Sequence, residues 1–124
     1  MKISVPDSAI VYTYEMLPED LDPREVGEGA DSEWLARAVE AWSGGYASDE
    51  WFCLRGVARV PGVSAVGTAY LGRMSKFPSE SLEDAASDYL SDLRAEAAAN
   101  LRGEIESLFH SLTPFVSGDV CKGG

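Results

Sequence analysis

Five carboxylates recur at every fourth position between residues 79 and 96, in the stretch SESLEDAASDYLSDLRAE. On one continuous α-helix, steps of four residues advance by about 40° and rise by about 6 Å, so these side chains would form a slowly winding ladder. Such a row of charges approximates the spacing along a nucleic-acid strand and could occupy a basic groove that normally holds DNA or RNA. The members of this acidic ladder are Glu80, Asp84, Asp88, Asp92 and Glu96.

The ladder also has a simpler explanation, as the solvated face of a helix. A run of charge usually marks a solvated or interacting face, and the helix dipole favours acids near an N-terminus. Against this, like charges four residues apart oppose a helix by about 0.2 to 0.5 kcal/mol per pair, so four pairs cost about 1 to 2 kcal/mol. Arg94 is the only base between Glu80 and Glu96. We therefore predict that the ladder binds a basic partner, and we keep the solvated face as the alternative.

Charge is unevenly distributed along the chain. Residues 15–33 hold eight acids against one base, whereas residues 51–76 hold four bases and no acid. We predict that an acidic loop, residues 18–30, extends the binding surface of the ladder, and that the basic segment offers a secondary interaction face. The loop residues in this prediction are Glu19, Asp20, Asp22, Glu25 and Glu28, and the secondary face comprises Trp51, Arg55, Arg59 and Tyr70.

Length and composition limit the class of protein. With 124 residues, 45% of them apolar and 25% charged, the chain suits a single folded domain, residues 1–124, with a flexible tail at 117–124. The net charge of −11 argues against direct binding to nucleic acid or an anionic membrane, because both require a positive surface. Two cysteines, no secretory signal and no run long enough to span a bilayer predict a cytoplasmic location, in the host cytoplasm if the chain is phage-encoded.

Catalytic and cofactor chemistry finds little support in the residues. A nucleophilic pair would require Cys53 and His110, the only histidine, to meet in the fold, and no third orienting group is evident. No phosphate-binding glycine loop, HExxH or EF-hand spacing occurs, so we expect no cofactor, no metal and no enzyme activity. Two remote alternatives stay open: a small enzyme with a pocket beside Cys53, and a conjugation substrate that uses its terminal Gly123-Gly124.

The elements that position these residues are predicted from periodicity and from helix-capping residues. Residues 9–17 alternate in polarity as a strand does, and residues 18–30 form a loop broken by proline and glycine. Asp31 then caps a short amphipathic helix that ends at Gly44-Gly45.

The hairpin at residues 51–73 is the clearest structural pattern. A two-residue Pro61-Gly62 turn would pair Leu54 with Ala69, and one face of the hairpin would then be apolar throughout. Small residues fill the middle of that face, so a helix could approach the sheet closely. Pro-Gly favours a type II turn that suits a two-residue hairpin poorly, which leaves a longer loop open.

A long helix is predicted from Ser81, its expected N-cap, to Leu112, with an apolar stripe along one side. As one continuous helix it would be about 48 Å long, whereas a compact chain of this size has a radius of gyration of about 14 Å. The helix must therefore bend, near Asn100 to Gly103, or protrude and meet a second copy.

Together these patterns predict an α+β fold in which a small antiparallel sheet of three or four strands packs against a long C-terminal helix and one short helix. Elimination and charge predict an acidic inhibitor or adaptor that docks on a basic, nucleic-acid-handling protein. In size and charge the chain resembles the small acidic inhibitors that phages and mobile elements carry against host defence nucleases, which implies nucleic-acid mimicry. The alternative is a homo-oligomeric structural or assembly protein whose alanine-rich long helix forms the interface, so a homodimer stays open.

Overall fold

The computed structural model describes residues 4–25 and 31–123, with side chains through Ser111. Its elements are β1 (Val11–Leu17), α1 (Ser32–Gly44), β2 (Phe52–Arg59), β3 (Val66–Met74), α2 (Leu82–Ala85) and α3 (Leu90–Gly123). The three strands form one antiparallel sheet in the order β1-β2-β3, so β2 is central and β1 and β3 are the two edges. The predicted α+β fold, with a hairpin sheet, a short helix and a long C-terminal helix, is confirmed.

The hairpin of β2 and β3 has the predicted faces in a different register. Leu54 pairs with Leu71 instead of Ala69, because residues 60–65 form a longer connection than two residues. The turn within that connection has the type II chemistry that Pro-Gly favours, since Gly62 has a φ of 85° and a backbone hydrogen bond of 3.0 Å closes the turn. A shift of two residues leaves the alternation of side chains unchanged, so the predicted apolar face still lies on the core.

The core lies between α3 and the apolar face of the sheet. Leu54 and Leu101 are completely buried, and Leu93 is nearly so. Gly67 in β3 lies directly beneath α3, where a Cβ atom would meet the backbone of Ala97 and Leu101. The small residues of the hairpin therefore receive the backbone of the helix itself, as the sequence predicts.

The predicted continuous helix is interrupted at residues 86–89. Ser81 caps α2 as predicted, because its hydroxyl accepts a hydrogen bond of 3.0 Å from the Asp84 backbone nitrogen. A tight turn follows, closed by a backbone hydrogen bond of 2.8 Å between residues three apart, and α3 begins only after it. Of the two possibilities left open for the long helix, a break near Asn100 to Gly103 does not occur, since α3 is helical through those residues.

Helix α1 begins and ends where the sequence predicts. The Asp31 carboxylate accepts a hydrogen bond of 2.7 Å from the Glu33 backbone nitrogen, which satisfies a free donor of the first turn. Gly45 ends the helix with a φ of 71°, a conformation that glycine adopts without strain. Two alanines on its inner side, Ala38 and Ala41, are completely buried.

Two predictions fall partly outside the described residues. They are residues 26–30 of the acidic loop, with Glu28, and the tail at 117–124, of which only the backbone of 117–123 is described. That backbone belongs to α3, so the predicted end of the long helix at Leu112 is wrong. Residues 18–25 of the loop form an irregular segment that contains one short 3₁₀ turn, Pro23–Glu25. Within the described part of the chain, no helix combines the length and apolar character needed to cross a membrane.

Candidate functional site

The acids of the predicted ladder do not share one helical face, because the interruption at residues 86–89 divides them. Asp84 lies in α2, Asp88 lies in the turn, and Asp92 and Glu96 lie in α3. Glu80 precedes α2, where its carboxylate accepts a hydrogen bond of 3.2 Å from a backbone nitrogen. The prediction of a regular ladder is therefore wrong, and with it the even spacing on which nucleic-acid mimicry was based.

Four of these acids nevertheless share one property, since their side chains are exposed and make no ion pair or hydrogen bond among the described residues. We call them the acidic segment: Asp84, Asp88, Asp92 and Glu96. The bases of the chain behave differently, because six of the eight lysines and arginines with described side chains pair with an acid of the same chain. The acids occupied in this way are Asp7, Glu15, Asp22, Asp49, Glu50 and Glu83.

The one base near the acidic segment is occupied elsewhere. Arg94 donates from Nε to the Tyr14 hydroxyl and from Nη2 to the Glu83 carboxylate, at 3.3 Å in the second case. Its guanidinium also lies over the Tyr12 ring, 5.3 Å from the centroid. The hydrogen bond to Tyr14 is the main cause that raises the pKa of Arg94. Arg94 therefore makes no described ion pair with the acidic segment.

The acidic loop contributes less free charge than its sequence predicts. The Glu19 carboxylate accepts hydrogen bonds from the backbone nitrogens of Leu21 and Arg73, so it ties the loop to β3. Asp22 pairs with Arg24 at 2.7 Å, and this hydrogen bond holds the pKa of Asp22 below its usual value. These two acids are engaged within the chain, whereas Asp20 and Glu25 are exposed and lack an ion pair in the described structure.

Two of the four members of the predicted secondary face are engaged within the chain. Trp51 is 2% exposed, and its indole Nε1 donates to a backbone carbonyl of the loop at 2.9 Å, so the prediction that it contacts a partner is wrong. Arg55 pairs with Glu15 on the neighbouring strand. Arg59 and Tyr70 are exposed, and among the described side chains Arg59 has no ion pair. The part of this face that remains accessible to a partner is Arg59 with Tyr70.

The structure does not bring Cys53 and His110 together among its described contacts. Cys53 is partly buried in β2, and burial, together with the negative charges of Glu19 and Asp20, raises the pKa of its thiol. A raised pKa leaves less thiolate at neutral pH, which is the opposite of what a nucleophile needs. His110 lies near Glu106 on exposed turns of α3. No described group of three histidine, cysteine or acidic side chains is arranged to hold a metal ion.

A groove along the free edge of β1 is the feature that sequence reasoning missed. Its largest part is a cavity of about 700 Å³ between Tyr12 of β1 and the start of α3. A second part, of about 410 Å³, lies between Tyr12 and the Ser81–Glu83 stretch. The sequence gives a partial indication of this groove, because polar and small residues recur at intervals of three and four along one side of α3. They are Ser91, Arg94, Ala98 and Arg102.

The candidate site of this chain combines two features, an unpaired acidic segment and a groove beside the edge strand β1 of the three-stranded sheet. No protein-family model, no curated protein and no solved structure matches the sequence or the fold.

Proposed function

We propose that the protein is a small acidic inhibitor or adaptor that acts by binding a basic protein partner in the cytoplasm. The observation that carries the proposal is the pattern of ion pairing. Six of the eight described bases pair with the chain's own acids. Other exposed acids, such as Glu33 and Glu40, also lack a described ion pair, but the four acids of the acidic segment lie within one stretch, residues 84–96, whose single base is engaged elsewhere. A concentration of uncompensated charge attracts a surface of opposite sign and accelerates association with it.

The proposed partner is a nucleic-acid-handling protein, because such proteins carry the basic grooves that a net charge of −11 complements. The interrupted helix argues for docking by local charge rather than for copying the regular spacing of phosphates. Asp20 and Glu25 are exposed and add to the same negative field. The partner's binding would therefore weaken as salt screens these charges.

The variant that tests this proposal neutralises the acidic segment, with Asp84→Asn, Asp88→Asn, Asp92→Asn and Glu96→Gln combined. Its charge-matched control neutralises four exposed acids outside the proposed surface, with Glu33→Gln, Glu40→Gln, Glu104→Gln and Glu106→Gln combined. Each set removes four negative charges and takes the net charge from −11 to −7. A difference between the two variants therefore reports the position of the charges and not their total.

The wild-type protein is used to capture proteins from the native host's lysate at low salt. Each captured protein is identified and purified, and its affinity for the wild type and for both variants is measured. We expect the segment variant to bind a captured basic protein about tenfold or more weakly than the wild type, and the control to stay within about threefold. Equal weakening by both variants, or no weakening by either, would contradict docking through the acidic segment.

Self-association is a second candidate, and one specific observation favours it. Leu108 lies seven residues after the buried Leu101, on the same side of α3, yet it is 43% exposed. The apolar stripe of α3 therefore continues past the part of the helix that the sheet covers. Light scattering separates the two candidates, because a dimer that persists in high salt supports this one and a salt-independent monomer rejects it.

A further inference from the structure

We propose that the free edge of β1 receives the partner, and that it takes an extended basic segment of that partner as a fourth strand of the sheet. This inference rests on the proposed function, because it names the surface and the binding mode of the same basic partner. Addition of a strand to an open sheet edge is a common mode of peptide recognition, in which backbone hydrogen bonds supply affinity and side chains supply specificity.

The edge of β1 is long, regular and accessible. All seven of its residues pair with β2 without a bulge, so the opposite edge presents an uninterrupted row of backbone groups. No residue of β1 is buried, whereas β2 is largely buried. Apart from the pairing with β2, no described hydrogen bond uses a backbone group of β1. Natural proteins usually protect such an edge with proline, lysine, a bulge or a covering element.

The other edge of the same sheet is protected in these ways. The side-chain amide of Asn100 donates to the Thr68 carbonyl at 2.7 Å, which occupies a backbone acceptor of β3. The Glu19 carboxylate accepts from the Arg73 backbone nitrogen, and Arg73 has a φ of 58° that distorts the end of the strand. The register of β3 against β2 also shifts near Phe52. Among the described residues, β1 is therefore the edge whose backbone groups make no hydrogen bond beyond the pairing with β2.

The groove beside β1 is large enough for part of a strand, and one of its walls is held in place by side-chain contacts. Its two cavities, of about 700 and 410 Å³, both reach Tyr12, and the smaller one also reaches Thr13 and Tyr14, so both lie beside the first half of the strand. Arg94 holds this wall in place, because it stacks over the Tyr12 ring and donates to the Tyr14 hydroxyl. Because this wall is already ordered before binding, less conformational entropy is lost when a segment binds.

Charge around the groove favours a basic occupant. The charged residues that line it cancel, since Arg94 pairs with Glu83 and Arg102 pairs with Asp7. Asp84 and Asp88 directly follow Glu83 and Ser87, two residues that line the groove. Their exposed carboxylates make no described ion pair. A second copy of the chain would bring another net charge of −11 to this edge, which electrostatic repulsion opposes.

The test uses the full-length protein and three blocked peptides of equal length. The first alternates lysine and valine, the second is the same peptide N-methylated at every residue, and the third alternates glutamate and valine. N-methylation keeps the side chains and charges but removes every backbone donor that a strand needs. We expect the lysine peptide to slow hydrogen exchange at alternate amides of β1, and the methylated peptide to bind about tenfold more weakly, since several backbone hydrogen bonds are lost.

The outcomes separate the strand site from acidic docking. If both lysine peptides bind equally and perturb only the acidic segment, the strand site is wrong while the proposed function stands. If the glutamate peptide binds best, or alternate protection of β1 appears with rising protein concentration and no peptide, a basic segment is not the occupant. If no peptide protects β1, the inference is overturned. Combining Asp84→Asn with Asp88→Asn should weaken both lysine peptides and preserve the difference that methylation makes.

Discussion

Replacement of Gly67 by alanine is expected to destabilise the fold by about 3 kcal/mol, the upper part of the range for an overpacked core. A Cβ atom at this position would overlap the Ala97 carbonyl oxygen and the Leu101 backbone nitrogen, and would lie 2.7 Å from the Leu101 Cα. All three atoms belong to the backbone of α3, so no side-chain rotation relieves the clash. The helix must move away from the sheet, which weakens the packing of Leu93 and Leu101.

A matched control is available on the helix itself. Gly103 lies within α3, and nothing would contact a Cβ atom added there within 4 Å. Gly103→Ala should therefore stabilise the protein by about 1 kcal/mol, the difference in helix propensity between the two residues. Urea unfolding followed by circular dichroism measures both changes. A cost below about 1 kcal/mol for Gly67→Ala would mean that α3 does not lie against this part of the sheet.

The success of the hairpin prediction and the failure of its register have the same physical cause. The apolar face follows from side-chain alternation, and alternation is unchanged when the strands shift by two residues. The register depends on the length of the connection, which the type II turn at Gly62 extends to residues 60–65. Sequence pattern therefore predicts which side of β2 and β3 meets the helix, and tertiary packing decides which residues are neighbours.

The break between α2 and α3 was not predicted because the helical pattern continues through it. Leu82, Ala86 and Leu93 keep helical intervals, and each contacts the core. Ala86 is completely buried within the turn, which places α2 against β1 while α3 packs on β2 and β3. A straight helix could not contact all three strands in this way. The gain in packing thus overrides the local preference for an unbroken helix.

The candidate site was predictable in composition and not in geometry. The acids of the ladder and the scarcity of bases near them are visible in the sequence, and four of the five acids remain unpaired in the structure. The loss of Glu19 and Asp22 from the site depends on contacts with Arg73 and Arg24, and the first of these joins residues distant in the chain. The open edge of β1 depends on strand order, which periodicity does not specify.

Trp51→Ala is expected to cost about 4 kcal/mol of folding stability, within the range for removal of a buried tryptophan. The side chain is 2% exposed, and its ring meets the Trp34 ring edge-on at a centroid distance of 6.3 Å. Its indole nitrogen also holds the loop through the Leu21 carbonyl, at 2.9 Å. Truncation would remove this packing and leave the carbonyl without its donor. Chemical unfolding measures the loss, and the amide of Leu21 reports release of the loop by NMR.

Two companion variants decide whether Trp51 is structural or belongs to an interaction face. Trp51→Phe keeps most of the apolar contact and loses the hydrogen bond, so it should cost about 1 to 2 kcal/mol. Tyr70→Ala, on a side chain that is 56% exposed, should change stability by no more than about 0.5 kcal/mol. If Trp51→Ala were as mild as Tyr70→Ala, the ring would have to lie on the surface, and the predicted secondary face would regain it. A large loss with unchanged affinity of the remaining folded protein for a basic partner would instead place Trp51 in the structure that supports the loop, apart from the surface that binds.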